Sequence, residues 1–203
     1  MRSSVFKGRR RLLAPLVFAL LLGCGRKGGD GGGSVVTPPP PLTPTFRCTD
    51  SPVMVDKVAL KCGLQRADDV WEIDVVIGSP TTATNIDGFA FDVLFDPTHL
   101  AYVAGSASAG TLFLQGGPVP LVIAQTQPGE PGRLVVGIHP TGTEGGVRAV
   151  SGFDQILIFN LKMVAGTTFD PELLHFDNFE ALDPLDQPIT SITPSDQLLL
   201  SVQ

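Results

Sequence analysis

Residues 86–103 read IDGFAFDVLFDPTHLAYV, and the alternation inside this run narrows the possible folds more than any other segment. Phe89, Phe91, Val93 and Phe95 fall on one face of an extended chain, while Ala90, Asp92 and Leu94 fall on the other. A period of two with one strongly apolar face predicts a strand packed against a core. Asp96-Pro97 ends it, because proline fixes its own φ and has no N–H to give to a ladder, and aspartate favours the start of a turn. Leu100, Tyr102 and Val103 then restart an extended run. Burial of three phenylalanines, at ~25 cal/mol per Å² of apolar surface, predicts a central strand.

The pattern G-F-x-F-x-V-x-F-D-P followed by leucine, carried by Gly88, Phe89, Phe91, Val93, Phe95, Asp96, Pro97 and Leu100, resembles the cohesin domain and related carbohydrate-binding modules. That family has tyrosine where Phe95 stands here. Upstream, VALKCGLQRADDVWEIDVVIG looks like the family's first two strands, and downstream GFDQILIFNLKMVAG looks like its late strand. The likeness spans residues 53–203. It implies a two-sheet β-sandwich and a binding role, and no residue of the pattern is catalytic.

The N-terminus has its own signature. Arg2, Lys7, Arg9, Arg10 and Arg11 precede an apolar run over residues 12–22, which is too short to remain in a bilayer as a spanning helix. This is the form of a secretory leader. It closes on Leu21-Leu22-Gly23-Cys24, which resembles the bacterial lipobox: a small residue before the cut and a thiol that accepts the diacylglycerol. Residues 1–23 are thus read as a lipoprotein signal peptide and Cys24 as the lipid attachment point. Residue 25 is glycine rather than aspartate, which in a Gram-negative host implies the outer membrane. The expected location is the bacterial cell envelope.

Residues 24–45 form a tether, with a glycine-rich first half and Thr37-Pro38-Pro39-Pro40-Pro41 in the second. Coil followed by stiff polyproline gives a reach on the order of 40 Å. Without the five basic residues of the leader, 9 of the 14 remain against 20 carboxylates, a net charge of about −11. That charge disfavours nucleic acid and anionic surfaces as partners.

Residues 46–203 suffice for one domain with a full core. Short alternating runs predict about nine strands, near 53–62, 70–78, 86–96, 100–104, 119–126, 133–139, 155–164, 173–180 and 196–202, with turn residues between them. The expected class is all-β, an antiparallel two-sheet sandwich of jelly-roll type. Trp71, Ile73, Val75 and Ile77 share a face, so Trp71 is assigned to the core and not to a sugar platform. Cys48 and Cys62 are the two cysteines of this region. In an exported chain a disulfide is the leading reading, with free thiols or half a metal site as the alternatives.

Signatures of chemistry are sparse. His99, His139 and His175 show no metal-ligand spacing, and there is no G-x-S-x-G elbow, dinucleotide fingerprint or P-loop. GTEGG at 142–146 reads as a hairpin or loop. No cofactor is expected, nor an enzyme. Asp177, Glu180, Asp183 and Asp186 are read as plain solvated turns and no metal is expected, a calcium site on Asp177, Asp183 and Asp186 being the weaker alternative.

The cohesin resemblance implies a partner docked flat on the outer face of one sheet. By strand register that face is expected to hold Ala90, Asp92, Leu94, Val135, Gly137, Ile156, Ile158 and Asn160, several of them apolar where a solvated face is polar. A loop, the tether or the tail covering this face is the competing expectation. Three functional readings follow. The first is a lipid-anchored module that recognises a protein. The second is a module on the same fold that binds polysaccharide, which needs exposed planar aromatics, Tyr102 being the lone candidate. The third is a structural envelope lipoprotein.

Overall fold

A computed structural model describes residues 45–81, 84–115, 119–141, 148–150 and 152–203. The leader, Cys24, nearly all of the tether and the GTEGG segment lie outside these residues. In chain order the strands are β1 (Phe46–Thr49), β2 (Lys57–Ala67), β3 (Val70–Ile77), β4 (Thr84–Ile86), β5 (Gly88–Leu94), β6 (Leu100–Tyr102) and β7 (Ser108–Ala109). A single helical turn, α1 (Thr111–Leu114), is followed by β8 (Leu121–Gln127), β9 (Glu130–His139), β10 (Arg148–Val150), β11 (Asp154–Met163), β12 (Phe169–Leu173), β13 (His175–Leu182), β14 (Thr193–Ser195) and β15 (Leu199–Val202).

Two main sheets form the sandwich. One runs β14-β2-β3-β11-β6, with β7 also on β11, and the other runs β13-β5-β9-β8. Smaller sheets, β1-β15-β12 and β10-β4, complete it. The nine runs expected to be strands each contribute one, and the others are short strands of two to five residues. Pairing is antiparallel except for β14, which lies parallel to β2.

The alternation in β5 explains its place. Phe89, Phe91 and Val93 are fully buried opposite Ile138, Val136 and Leu134 of β9. They meet Val58 and Leu60 of β2, Ile73, Val75 and Ile77 of β3, and Leu157, Phe159 and Leu161 of β11 in one hydrophobic cluster. Phe91 packs edge-on against Phe176 of β13 at 5.3 Å between ring centroids, and Phe89 against Phe113 of α1 at 6.2 Å. Trp71 is half-buried against this cluster, and its indole N–H donates to the Phe46 carbonyl at 3.2 Å. Cys48 and Cys62 form a disulfide that ties β1 to β2, with 5.9 Å between their Cα atoms. All of this lies within a compact unit spanning residues 42–203.

Candidate functional site

The four-stranded sheet places a defined set of residues on its outer face. The inner row is Phe89, Phe91 and Val93 on β5, Leu134, Val136 and Ile138 on β9, and Val122 and Ala124 on β8. The residues between them therefore point outward. Cross-strand register aligns Glu180–Ala90–Gly137–Ile123 as one row and Asp177–Asp92–Val135–Gln125 as the next. Leu121 opposes His139 one step further on. Leu121 is 54% and Ile123 47% exposed, and Ala90, Leu94 and Val135 are half-buried. A Cβ added at Gly137 would meet nothing within 4 Å, so the middle of this face is flat and open. The result is an apolar strip across β8, β9 and β5, flanked on the β13 side by acidic residues.

An ionic cluster borders the strip. Arg133 of β9 donates from Nη1 to Asp92 at 2.6 Å and to Asp177 at 2.8 Å, and from Nε to Glu130 at 2.9 Å. Asn178 donates to Asp92 at 2.7 Å. A bulge in β13 between Asp177 and Glu180 makes that contact, and Asn178 takes a left-handed φ of 48° there. The Arg133 hydrogen bonds hold the guanidinium pKa above its already high ordinary value. The same bond, with a backbone N–H from Asn178, holds Asp177 below the usual carboxylate range.

At the other border His139 lies 2.7 Å by Nε2 from the buried Asp87 carboxylate and 3.9 Å from Asp186. Its Nδ1 donates to the Pro140 carbonyl at 2.6 Å. Asp87, His139 and Asp186 are the set among the described residues whose ligand atoms converge, within 4.8 Å of one another.

The outer face expected from the sequence is corrected here. Ala90, Asp92, Leu94, Val135 and Gly137 share it, but Ile156, Ile158 and Asn160 belong to β11 of the other sheet, whose outer surface looks the opposite way. Ile156 is fully buried, because a bulge in β11 between Gln155 and Leu157 turns Ile156 and Leu157 both inward. Ile158 sits in a polar row with Asp74 and Ser108, and Asn160 opposes Glu72. Burial and the neighbouring Glu72 charge push Asp74 above its ordinary pKa. Asp92, expected on the outer face, lies there but is buried and ion-paired. The acidic set weighed as a weak calcium candidate, against the favoured reading of plain turns, is dispersed: Asp177 is held by Arg133, Asp183 accepts the backbone N–H groups of Leu185 and Gln187, and Asp186 faces His139. Leu121 and Ile123, the most exposed apolar groups of the strip, were not assigned to it from sequence.

An open cleft of about 970 Å³ is bounded by Phe95, Asp96, His99, Phe169, Glu172 and His175 among others. His99 stacks on Phe169 at 4.6 Å and 9° and places Nδ1 3.1 Å from Glu172. His175 meets Asp196 at 3.2 Å. No serine, cysteine or lysine is among the described residues that line it.

No sequence-family model matches the chain, and no curated protein matches it in sequence. Solved structures do match in shape. A type II cohesin from Bacteroides cellulosolvens superposes with a TM-score of 0.55 at 14% identity, over 70% of this chain and 97% of that one. The second type II cohesin module of an adaptor scaffoldin from Acetivibrio cellulolyticus gives 0.54 at 16% identity, over 70% and 86%. The sixth cohesin of another scaffoldin of that organism, solved with a bound dockerin, gives 0.51 at 14%, over 69% and 94%. The chain therefore carries a cohesin-like β-sandwich.

Proposed function

We propose that this chain is a non-catalytic recognition module, lipid-anchored through Cys24 at the bacterial envelope, that captures a protein partner on the outer face of β13-β5-β9-β8. The observation that carries this reading is the flat strip of Leu121, Ile123, Val135, Gly137 and Ala90 beside the Arg133 ion cluster. An apolar centre with a charged rim is how protein interfaces are built. The dockerin complex of a structural neighbour supports a protein partner for this fold. A tether of glycine and proline supports capture at a distance from the lipid. Polysaccharide binding is the weaker reading, because Trp71 and Tyr102 are half-buried against the core and offer no stacking row.

Three forms of residues 42–203 decide it: wild type, Val135→Arg on the strip, and Ile158→Arg on the opposite sheet. Each is used to capture partners from an envelope extract and is applied to a glycan array, with circular dichroism as the folding check. A protein retained by wild type and Ile158→Arg but lost on Val135→Arg supports the proposal. Equal capture by all three, or a glycan signal insensitive to Val135→Arg, overturns it.

A further inference from the structure

We propose that a second copy of this chain pairs edge to edge with it through β8, joining two four-stranded sheets into one of eight strands. A free sheet edge is a template for another strand, and folded proteins blunt such edges with charge, proline, bulges or a covering segment. Two other edges here are blunted. In β12, Asp170, Pro171 and Glu172 combine charge and proline with a bulge. The edge of β13 is covered by its own chain: the Ile189 N–H donates to the Ala181 carbonyl at 2.7 Å, and Asp196 accepts the Phe176 N–H at 2.8 Å. In contrast β8, LVIAQTQ, has no charge and no proline, and it stays in register with β9 from Leu121 to Thr126. Among the described residues no strand pairs with its far side.

The uncharged sequence of β8 suits a copy of itself as the occupant. Its apolar residues are Leu121 to Ala124 and its polar residues are Gln125 to Gln127. An antiparallel copy centred on Ile123 sets Ile123 against Ile123 and Leu121 against Gln125 on the outer face, and Val122 against Ala124 on the inner face. Opposed residues in an antiparallel pair share a face, so the two-fold axis stands perpendicular to the sheet. The row Ala90–Gly137–Ile123 then runs without a break into the partner's Ile123–Gly137–Ala90. No carboxylate of this acidic chain is brought against its own copy in β8. Both recognition faces end on the same side, which makes the pair bivalent. One strand pair buries little surface, so the dimer is expected to be weak and concentration-dependent.

The test uses residues 42–203 in sedimentation equilibrium from about 10 µM to about 1 mM, the range expected for a contact of this size. Wild type is expected to shift from monomer to dimer, and Ile123→Lys to weaken dimerisation by about tenfold or more. In a second arm, Ile123→Cys is oxidised beside Leu185→Cys, another exposed position. The Ile123→Cys form is expected to cross-link as a dimer well above the Leu185→Cys background. Val135→Arg, which blocks the recognition face and leaves the edge intact, is expected to keep the dimer, so the two proposals fail separately. A wild type that stays monomeric to about 1 mM, a dimer indifferent to Ile123→Lys, or no excess cross-linking of the Ile123→Cys form overturns the inference.

Discussion

Arg133 of β9 reaches across the strand pair and donates to the buried Asp92 of β5 at 2.6 Å. The same Nη1 holds Asp177 of β13, so a single guanidinium clamps three neighbouring strands of the four-stranded sheet. The clamp is charged on both sides, and its contribution therefore depends on pH.

Asp177 is held below its ordinary pKa in the folded state, first by the Arg133 hydrogen bond. A depressed carboxylate stabilises the fold above its unfolded pKa, and the gain is lost as pH falls through the folded value. Arg133→Gln is therefore expected to melt several degrees lower than wild type at pH 7. The gap should narrow on acidification below the usual carboxylate range, as Asp177 becomes protonated in both proteins. Melting curves from neutral to acidic pH check this. A gap that stays constant with pH would show the arginine acting by packing alone.

The Cys48–Cys62 bridge closes a loop with a sequence separation of 14 between β1 and β2. A loop of that length is worth ~3 kcal/mol in the chain-entropy account. The double substitution Cys48→Ala with Cys62→Ala is expected to lower the melting temperature by roughly 6–12 °C. Wild type in reductant should match the double variant. A difference below about 1 kcal/mol in urea titration would mean that β1 is held by its pairing with β15 alone.

Gly132 is where β9 passes under the corner that ends β5. Its carbonyl accepts the Phe95 N–H at 2.9 Å, and a Cβ here would stand 2.3 Å from the Phe95 carbonyl oxygen and 2.8 Å from Pro97 Cδ. The neighbours are backbone and a proline ring, which yield little. Gly132→Ala is expected to destabilise by about 1–3 kcal/mol. Gly137→Ala, five residues along the same strand and facing open space, should cost less. Denaturant titration of the two variants gives the comparison.

Much of this fold is legible in the sequence because β5, β3 and β9 alternate in two-residue steps with strong contrast between faces. The reading fails where that contrast is missing. In β8 the run Leu121-Val122-Ile123-Ala124 is apolar on both faces, so no single strand says which side is out. In β11 the alternation of Ile156 and Ile158 is regular on paper, and the bulge after Gln155 breaks it. The assignment of strands to sheets was also beyond local reading: β5 and β11 both carry an apolar inner row, and nothing in either states that they lie on opposite sides of the core. The Arg133 clamp joins residues 41 and 44 positions apart, and β14 settles beside β2 across 136 positions, as the Lys57–Thr193 hydrogen bond spans. Such contacts leave no periodic trace. The cysteine pair was readable because compartment and count narrow the choices without geometry.

The reciprocal hydrogen bonds of Thr45 and Gln203, and the pairing of β1 with β15, bring the two ends of the unit together at one edge. A pull applied at residue 45 first loads β1, and the bridge at Cys48 then passes that load directly into β2. The segment between the cysteines is shielded from extension for as long as the bridge is oxidised. Reduction would release roughly 45 Å of additional contour, at about 3.5 Å per residue. The bridge thus sets where tension enters the sandwich: it passes from β1 into β2 of the larger sheet without drawing out the chain between the two cysteines.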